Sequence, residues 1–379
     1  VAIVKTIERR FMKLSIRDKR YLTGKKILLI SPESWSHLFV SKHNYSIALA
    51  TLGNTVFFLN PPGDQWSINQ TSYSNVWEIN YTRFIKGLRF FPSWFQRLCF
   101  RKKYKQLENL AGTKFDVVWS FDNSVFFDYT FLPEHVLAIN HIVDYSQDFQ
   151  LASAARTADI CFGVSPVIVS RLNKFNNNAY LVSHGIHTNH TTVAVTLPGA
   201  NRLKAVYAGN LDSMYLDYES LNALIKDYPN VDFIFFGSGG KHIIERVNVV
   251  KCGVIPNHLL MNYLRQADIL LLLYDWKRFP DQLTNAHKVL EYLFAGKAIV
   301  SSYLSDYADK RHLLEMSDEN RSVINVFQYV LSHLTELNSE ALVSSRINFA
   351  KSNTYEDRIR EIELLLRNLS DRSLTINRT

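Results

Sequence analysis

Short apolar runs alternate with helix-period segments along most of the chain. Lys26–Ile30 is apolar after its first residue and reads as a strand buried on both faces; the segment Lys42–Leu52 reads as a helix that stops at Gly53. Thr55–Leu59, closed by Pro61-Pro62-Gly63, is the next predicted strand, followed by Val76–Ile79, Asp116–Ser120 and His135–Ile139. A short helix is expected at Ala152–Ala158 and further strands at Ile160–Val164 and Ala179–Val182. A second series opens with the strand Lys204–Ala208 and its following Gly209. It continues with a helix at Tyr218–Asp227, a strand at Asp232–Phe236 and a helix at Pro256–Gln266. A strand at Asp268–Leu273, a helix at His287–Phe294 and a strand at Ala298–Ser301 complete it. Strands apolar throughout, alternating with helices, predict parallel sheets covered on both faces, an α/β architecture. Between the series, Asn189–Asn201 reads as a linker. The expected domains are 1–190 and 201–352, with a last helix, 355–369, packing back on the first domain.

Composition supports this and adds a charge asymmetry. With 379 residues and 47% hydrophobic content, the chain can bury two cores. The net charge of +8 is unevenly spread. Residues 1–26 carry nine Lys/Arg against two acids, and residues 83–105 carry eight with no acid, so the first 105 residues sum to +13 and the rest to −5. In Arg83–Lys105 these cations interleave with Phe84, Ile85, Leu88, Phe90, Phe91, Trp94, Phe95, Leu98 and Phe100, and Pro92 interrupts any single helix. One reading is an interfacial segment on anionic lipid, with Arg101, Lys102 and Lys103 among the contacts. The other is a helix that packs its aromatics inward behind a solvated cationic face. Nucleic acid is the third, and no nucleic-acid motif accompanies the charge.

Three widely spaced cysteines (Cys99, Cys161, Cys252) form no disulfide framework, no signal-peptide pattern is present and no apolar run reaches spanning length. The expected location is cytoplasmic, peripheral on the inner face of a membrane. No Asp-x-Asp or zinc-type His pair occurs, so no metal is expected.

The chemistry concentrates in Asn285–Ser301. Lys288 and Glu291 are three apart and share the first turn of a predicted helix, where free N–H groups and the dipole favour an anion. The cation suits a diphosphate and the carboxylate suits ribose hydroxyls; the alternative is a surface ion pair. Gly237-Ser238-Gly239-Gly240-Lys241-His242 lacks phosphate-loop spacing and is read as a turn.

Asn285, Lys288, Glu291, Tyr292, Ala295, Gly296, Lys297 and Val300 resemble the signature of GT-B glycosyltransferases of the group 1 / family 4 type, with Ala286 and Ala298 in place of prolines. Tyr207–Leu211, Phe236–Gly239, Gly253–Pro256 and Leu264–Ile269 resemble the same family in order and spacing, over about residues 200–310. The resemblance implies two facing Rossmann-like domains with an inter-domain cleft and a nucleotide-sugar donor. It implies that Gly209, Asn210 and Leu211 lie at the phosphates, that Ile255 packs on the base, and that Lys288 and Glu291 hold diphosphate and ribose. Leu283 stands where the signature has its first Glu, with Asp281 as a substitute, and Asn210-Leu211-Asp212 stands where it has Arg and Lys. Ile139–Ser146 resembles an acceptor-side neighbourhood, in which Asp144 or His141 is either a general base or a hydrogen-bonded loop residue. Trp35 either stacks on a sugar or fills the core, and His43 opens the next helix beside it. The implied function is transfer of a sugar, from a UDP-sugar, to a lipid-linked or glycan acceptor at an anionic membrane surface, with retention and no cofactor. A nucleotide-sugar epimerase and a non-catalytic membrane scaffold are the alternatives.

Overall fold

A computed structural model of the chain describes residues 21–376 apart from 38, 191 and 283–287. The chain divides into two compact units, residues 21–183 with 355–376, and residues 184–354.

The first unit is built on an eight-stranded sheet: β1 Lys26–Ile30, β2 Thr55–Leu59, β3 Ser67–Gln70, β4 Val76–Asn80, β5 Val117–Ser120, β6 Leu137–Ile142, β7 Ile160–Gly163 and β8 Ala179–Leu181. Their order is β3-β4-β2-β1-β5-β6-β7-β8, with only β3 antiparallel, against β4. β1, β2, β5, β6 and β7 are buried almost end to end, the burial that a parallel sheet covered on both faces imposes. The helix Tyr355–Ile376 belongs to this unit. Tyr355, Ile359, Ile362, Leu366 and Leu369 join its core, Tyr355 meets the Tyr45 ring edge-on at 5.0 Å, and Glu363 accepts the N–H groups of Tyr21 and Leu22 at 3.0 and 2.8 Å.

The second unit has six parallel strands: β9 Leu203–Ala208, β10 Val231–Phe236, β11 Val249–Gly253, β12 Ile269–Leu272, β13 Ala298–Ser301 and β14 Glu315–Met316, in the order β11-β10-β9-β12-β13-β14. Ile186, just past the unit boundary, bridges to Thr354 at its end.

Both sheets are doubly wound. In the first, strand order reverses between β1 and β5; in the second, between β9 and β12. A ligand of such a sheet binds beyond the carboxyl ends of the strands at that reversal. The residues there are Ser31–Glu33 and Phe121–Asp122 in one unit, and Gly209–Leu211 and Leu273–Tyr274 in the other. No helix among the described residues is long and apolar enough to cross a membrane.

Candidate functional site

The second reversal point carries a concentrated polar cluster. The helix Lys288–Ala295 precedes β13, and its first described residue is Lys288. Asn285 and Leu283 of the signature lie outside the described residues. The hydrophobic face of this helix, Val289, Leu290, Leu293 and Phe294, is buried in the unit's core and fixes its roll. Lys288 is left partly buried beside Gly209 at the end of β9, with its ammonium 5.5 Å from the centre of the Tyr207 ring. A Cβ on Gly209 would stand 2.5 Å from Lys288 Nζ, so glycine there makes room for the ammonium. Tyr274, just beyond β12, lies close enough to Tyr207 and Lys288 to act on both electrostatically. Burial works against the charged form of Lys288. Tyr274, Tyr207 and Glu291 outweigh it and hold the ammonium above its ordinary range. Glu291 is partly exposed one turn along. Tyr292, fully buried, accepts the Ala208 N–H at 2.9 Å and ties the helix to β9.

The neighbouring backbone departs from expectation. The Gly209 N–H donates to Phe236 O at 2.8 Å and the Leu211 N–H to Ser238 O at 2.9 Å, because the ladder between β9 and β10 runs past the strand ends. Those two N–H groups are not open to a phosphate, and the Leu211 side chain is in the core. Asn210 is exposed, and its side-chain oxygen accepts the Asp212 N–H at 3.0 Å. Asp212 in turn accepts the N–H groups of Gly240 and Lys241 at 2.9 and 3.1 Å, pinning the glycine-rich turn after β10. The Gly240 N–H, above all, holds this carboxylate below the usual range. The tie is therefore present at neutral pH and is lost on acidification through that lowered value. Asp212→Ala is expected to speed amide exchange at Gly240 and Lys241 at neutral pH; unchanged exchange would remove the tie. Ile255 is partly buried against the same core, beside the exposed Val254. Asp281 is exposed. Tyr207 belongs to the Tyr207–Leu211 stretch, whereas Tyr274, near Lys288, stands in no motif.

In the first unit the candidates separate. Trp35 is partly buried among aromatics, 5.0 Å from Phe58 edge-on and 6.0 Å from Tyr73, and so fills the core edge. His43 is fully buried. Its Nδ1 accepts the Val40 N–H at 3.3 Å, so Nε2 carries the proton and donates to Ser34 O at 3.0 Å. Burial lowers its pKa, consistent with that neutral tautomer. His141 is enclosed by Tyr45, Trp119, Phe121 and Phe162, and neither ring nitrogen has a hydrogen-bond partner. Burial pushes it down to about 3, so it is neutral at physiological pH, and its full enclosure keeps its ring nitrogens away from a substrate. Asp144 is exposed on the turn after β6, its N–H donating to Gln147 Oε1 at 3.1 Å. The strand-end polar groups also include Lys42, buried, which pairs with Glu33 at 3.1 Å. Asp122, raised by burial, lies nearby.

Arg101 and Lys102 are exposed, as an interfacial role requires, and Lys103 is not. Its ammonium donates to Thr82 O and Oγ1 at 2.9 and 3.1 Å and lies 5.0 Å from the Trp66 ring, with burial lowering its pKa. Lys103 points inward because helical spacing sets it on the face of Phe100 and Leu107, the buried side.

No protein-family model and no curated protein sequence matches the chain. Solved structures do. A sucrose-phosphate synthase from Thermosynechococcus elongatus superposes with a TM-score of 0.64 at 14% identity, over 91% of this chain and 99% of that one. HepE from Anabaena, solved in complex with UDP and glucose, gives a TM-score of 0.61 at 11% identity, over 89% and 99%. This chain has the GT-B fold. A glycosyltransferase from Rickettsia africae gives 0.62 at 11% identity, over 91% and 98%. The GT-B architecture expected from the second strand series therefore extends over nearly the whole chain. Among the described residues, no group of His, Cys, Asp and Glu side chains is arranged to hold a metal ion.

Proposed function

We propose that this chain is a glycosyltransferase that moves a sugar from a nucleoside-diphosphate sugar, a UDP-sugar, to a lipid-linked or polysaccharide acceptor, with retention. Its place is the cytoplasmic face of a membrane. The observation that carries the reading is the placement of Lys288, whose ammonium lies beside Gly209 and 5.5 Å from the Tyr207 ring centre at the reversal point of the second sheet. A diphosphate is the anion that such a site suits. Glu291 accepts the ribose hydroxyls, Ile255 packs on the base, and Asn210 lies at the phosphates. HepE, a structure of the same fold, was solved with UDP. On the acceptor side, Asp144 is the candidate that an incoming hydroxyl can reach.

Calorimetric titration with UDP tests the donor site. Binding with a Kd in the micromolar range is expected. Glu291→Ala is expected to weaken it about 10-fold, roughly 1.4 kcal/mol, the cost of hydrogen bonds to a charged group. Unchanged affinity in Glu291→Ala removes that residue from the site. Absence of binding by the wild type removes the reading.

A further inference from the structure

The segment Arg83–Lys105 has one part that the nucleotide reading does not use. Its apolar side chains divide into two sets. Leu88, Phe100 and Tyr104 are buried, and Phe84 is packed against the core, 5.6 Å edge-on from Phe100. Phe90, Trp94, Leu98 and Ile85 instead stand 78%, 66%, 57% and 53% exposed, with Phe91 beside them. The exposed set is held firmly. The 3-10 turn Leu88–Phe90 is anchored beneath by Leu88, and Gln96 Nε2 donates to Arg89 O at 3.1 Å and Phe91 O at 2.7 Å, strapping the turn to the helix Ser93–Ala111. Arg89 spans from Phe90 to Phe149, at 4.6 and 5.1 Å from their ring centres, and so brings a further exposed aromatic into the patch.

The cations follow the same face. Trp94, Leu98, Arg101, Lys102 and Lys105 lie on the outward side of one helix, apolar at its start and basic further on. Arg83 and Arg97 lie 3.9 and 3.8 Å from Asp64 and Asp128. Lys86, Arg101, Lys102 and Lys105 pair with no carboxylate among the described residues.

We propose that this face docks on an anionic lipid bilayer, with Phe90, Trp94 and Leu98 entering the headgroup boundary and Lys86, Arg101, Lys102 and Lys105 meeting lipid phosphates. An exposed apolar patch of this kind marks an interaction surface. Its charge selects the occupant. A second copy of the chain would set this uncompensated cationic face against itself. Residues 1–20, with seven cations and two acids, are repelled by the same rule. Exposed aromatics with cations also suit bases, but the aliphatic Ile85 and Leu98 share the patch and no nucleic-acid motif accompanies the charge, which favours lipid. An aromatic tip with flanking Lys and Arg matches the interfacial pattern. The surface names the membrane partner of the proposed transferase, involves the first unit alone, and stands or falls separately from the nucleotide site.

The test is co-sedimentation of the whole protein with vesicles of phosphatidylcholine alone or mixed with phosphatidylglycerol. Partitioning at least 10-fold stronger onto the anionic vesicles is expected. The triple variant Phe90→Ser, Trp94→Ser, Leu98→Ser is expected to lose at least 10-fold, and Arg101→Gln, Lys102→Gln, Lys105→Gln a similar factor at low salt. All six positions are exposed, and UDP titration of each variant, together with its melting curve, reports whether the fold is kept. Equal partitioning on both vesicle types, no sedimentation of the wild type, or a triple variant that binds like the wild type would each overturn the proposal. So would a patch variant that changes the oligomeric state and not vesicle binding. If the wild type binds vesicles but not UDP, the membrane surface stands and the transferase reading fails.

Discussion

Lys288→Met is expected to lower UDP affinity about 100-fold, roughly 2.7 kcal/mol, without lowering the melting temperature. The size follows from the loss of a charge-assisted contact to a diphosphate in a partly desolvated site. The unchanged stability follows from the surroundings of Lys288. Its ammonium sits over the Tyr207 ring, and the nearby carboxylate, Glu291, is partly exposed, so no buried opposite charge is orphaned when it goes. Gly209→Ala perturbs the same spot from the backbone side. The new methyl would stand 2.5 Å from Nζ, 2.6 Å from Lys288 Cε and 2.8 Å from the Tyr207 hydroxyl, at a φ of +153° that strains any side chain. That variant is expected to bind UDP about 10-fold less tightly, roughly 1.4 kcal/mol, and, unlike Lys288→Met, to melt at a lower temperature. Titration and a melting curve of both variants check this. If Lys288→Met binds UDP as the wild type does, the ammonium is not the diphosphate contact.

The largest stability effect is expected at Gly237. A Cβ there would lie 1.7 Å from the carbonyl oxygen of Gly209, a backbone atom that the ladder holds in place. The residue also has φ of +143°, in a region that side chains disfavour. Gly237→Ala must push β9 and β10 apart just below the candidate site. Overpacking of this kind costs about 3 kcal/mol, and for a unit of this size each kcal/mol lowers the melting temperature by about 2–4 °C. A drop on the order of 10 °C is the expected result. Gly253→Ala is the control: φ is +71° but nothing lies within 4 Å of the added methyl. It is expected to cost about 1 kcal/mol, the backbone penalty alone. Equal melting curves for the two variants would show that the Gly209–Gly237 approach is not a constraint.

These two sites also show what could be read from the chain. Gly209 and Lys288 were legible because a strand-end glycine and a helix-start cation each have a local signature. The parallel sheets were legible because buried strands are apolar at consecutive positions. The partnership of Lys288 with Tyr207 and Tyr274 was not, since the three residues converge only when β9 and β12 become neighbours across the reversal. The engaged N–H groups of Gly209 and Leu211 depend on the length of a ladder, which apolar spacing does not measure. His141 follows the same logic. A histidine near a strand end reads as a candidate base, but His141 is still within β6 and its side chain faces Tyr45 and Phe121 inside the sheet's covering layer. Lys103 differs from Lys102 only by its angle on the helix. In the second unit, β11 and β14 went unread: the first is half-exposed and partly polar, the second two residues long. The helices Val323–Ser332 and Glu340–Lys351, likewise unread, lie beyond the last strand of the recognised series.

The most direct test of sugar transfer is to incubate the protein with a panel of nucleotide sugars and a membrane extract, then to measure released nucleoside diphosphate and the masses of lipid and glycan products. The proposed function requires that one donor release its nucleoside diphosphate together with a product heavier by one sugar residue, and that Lys288→Met abolish both. Release from no donor, with no nucleoside diphosphate bound in titration, would contradict it.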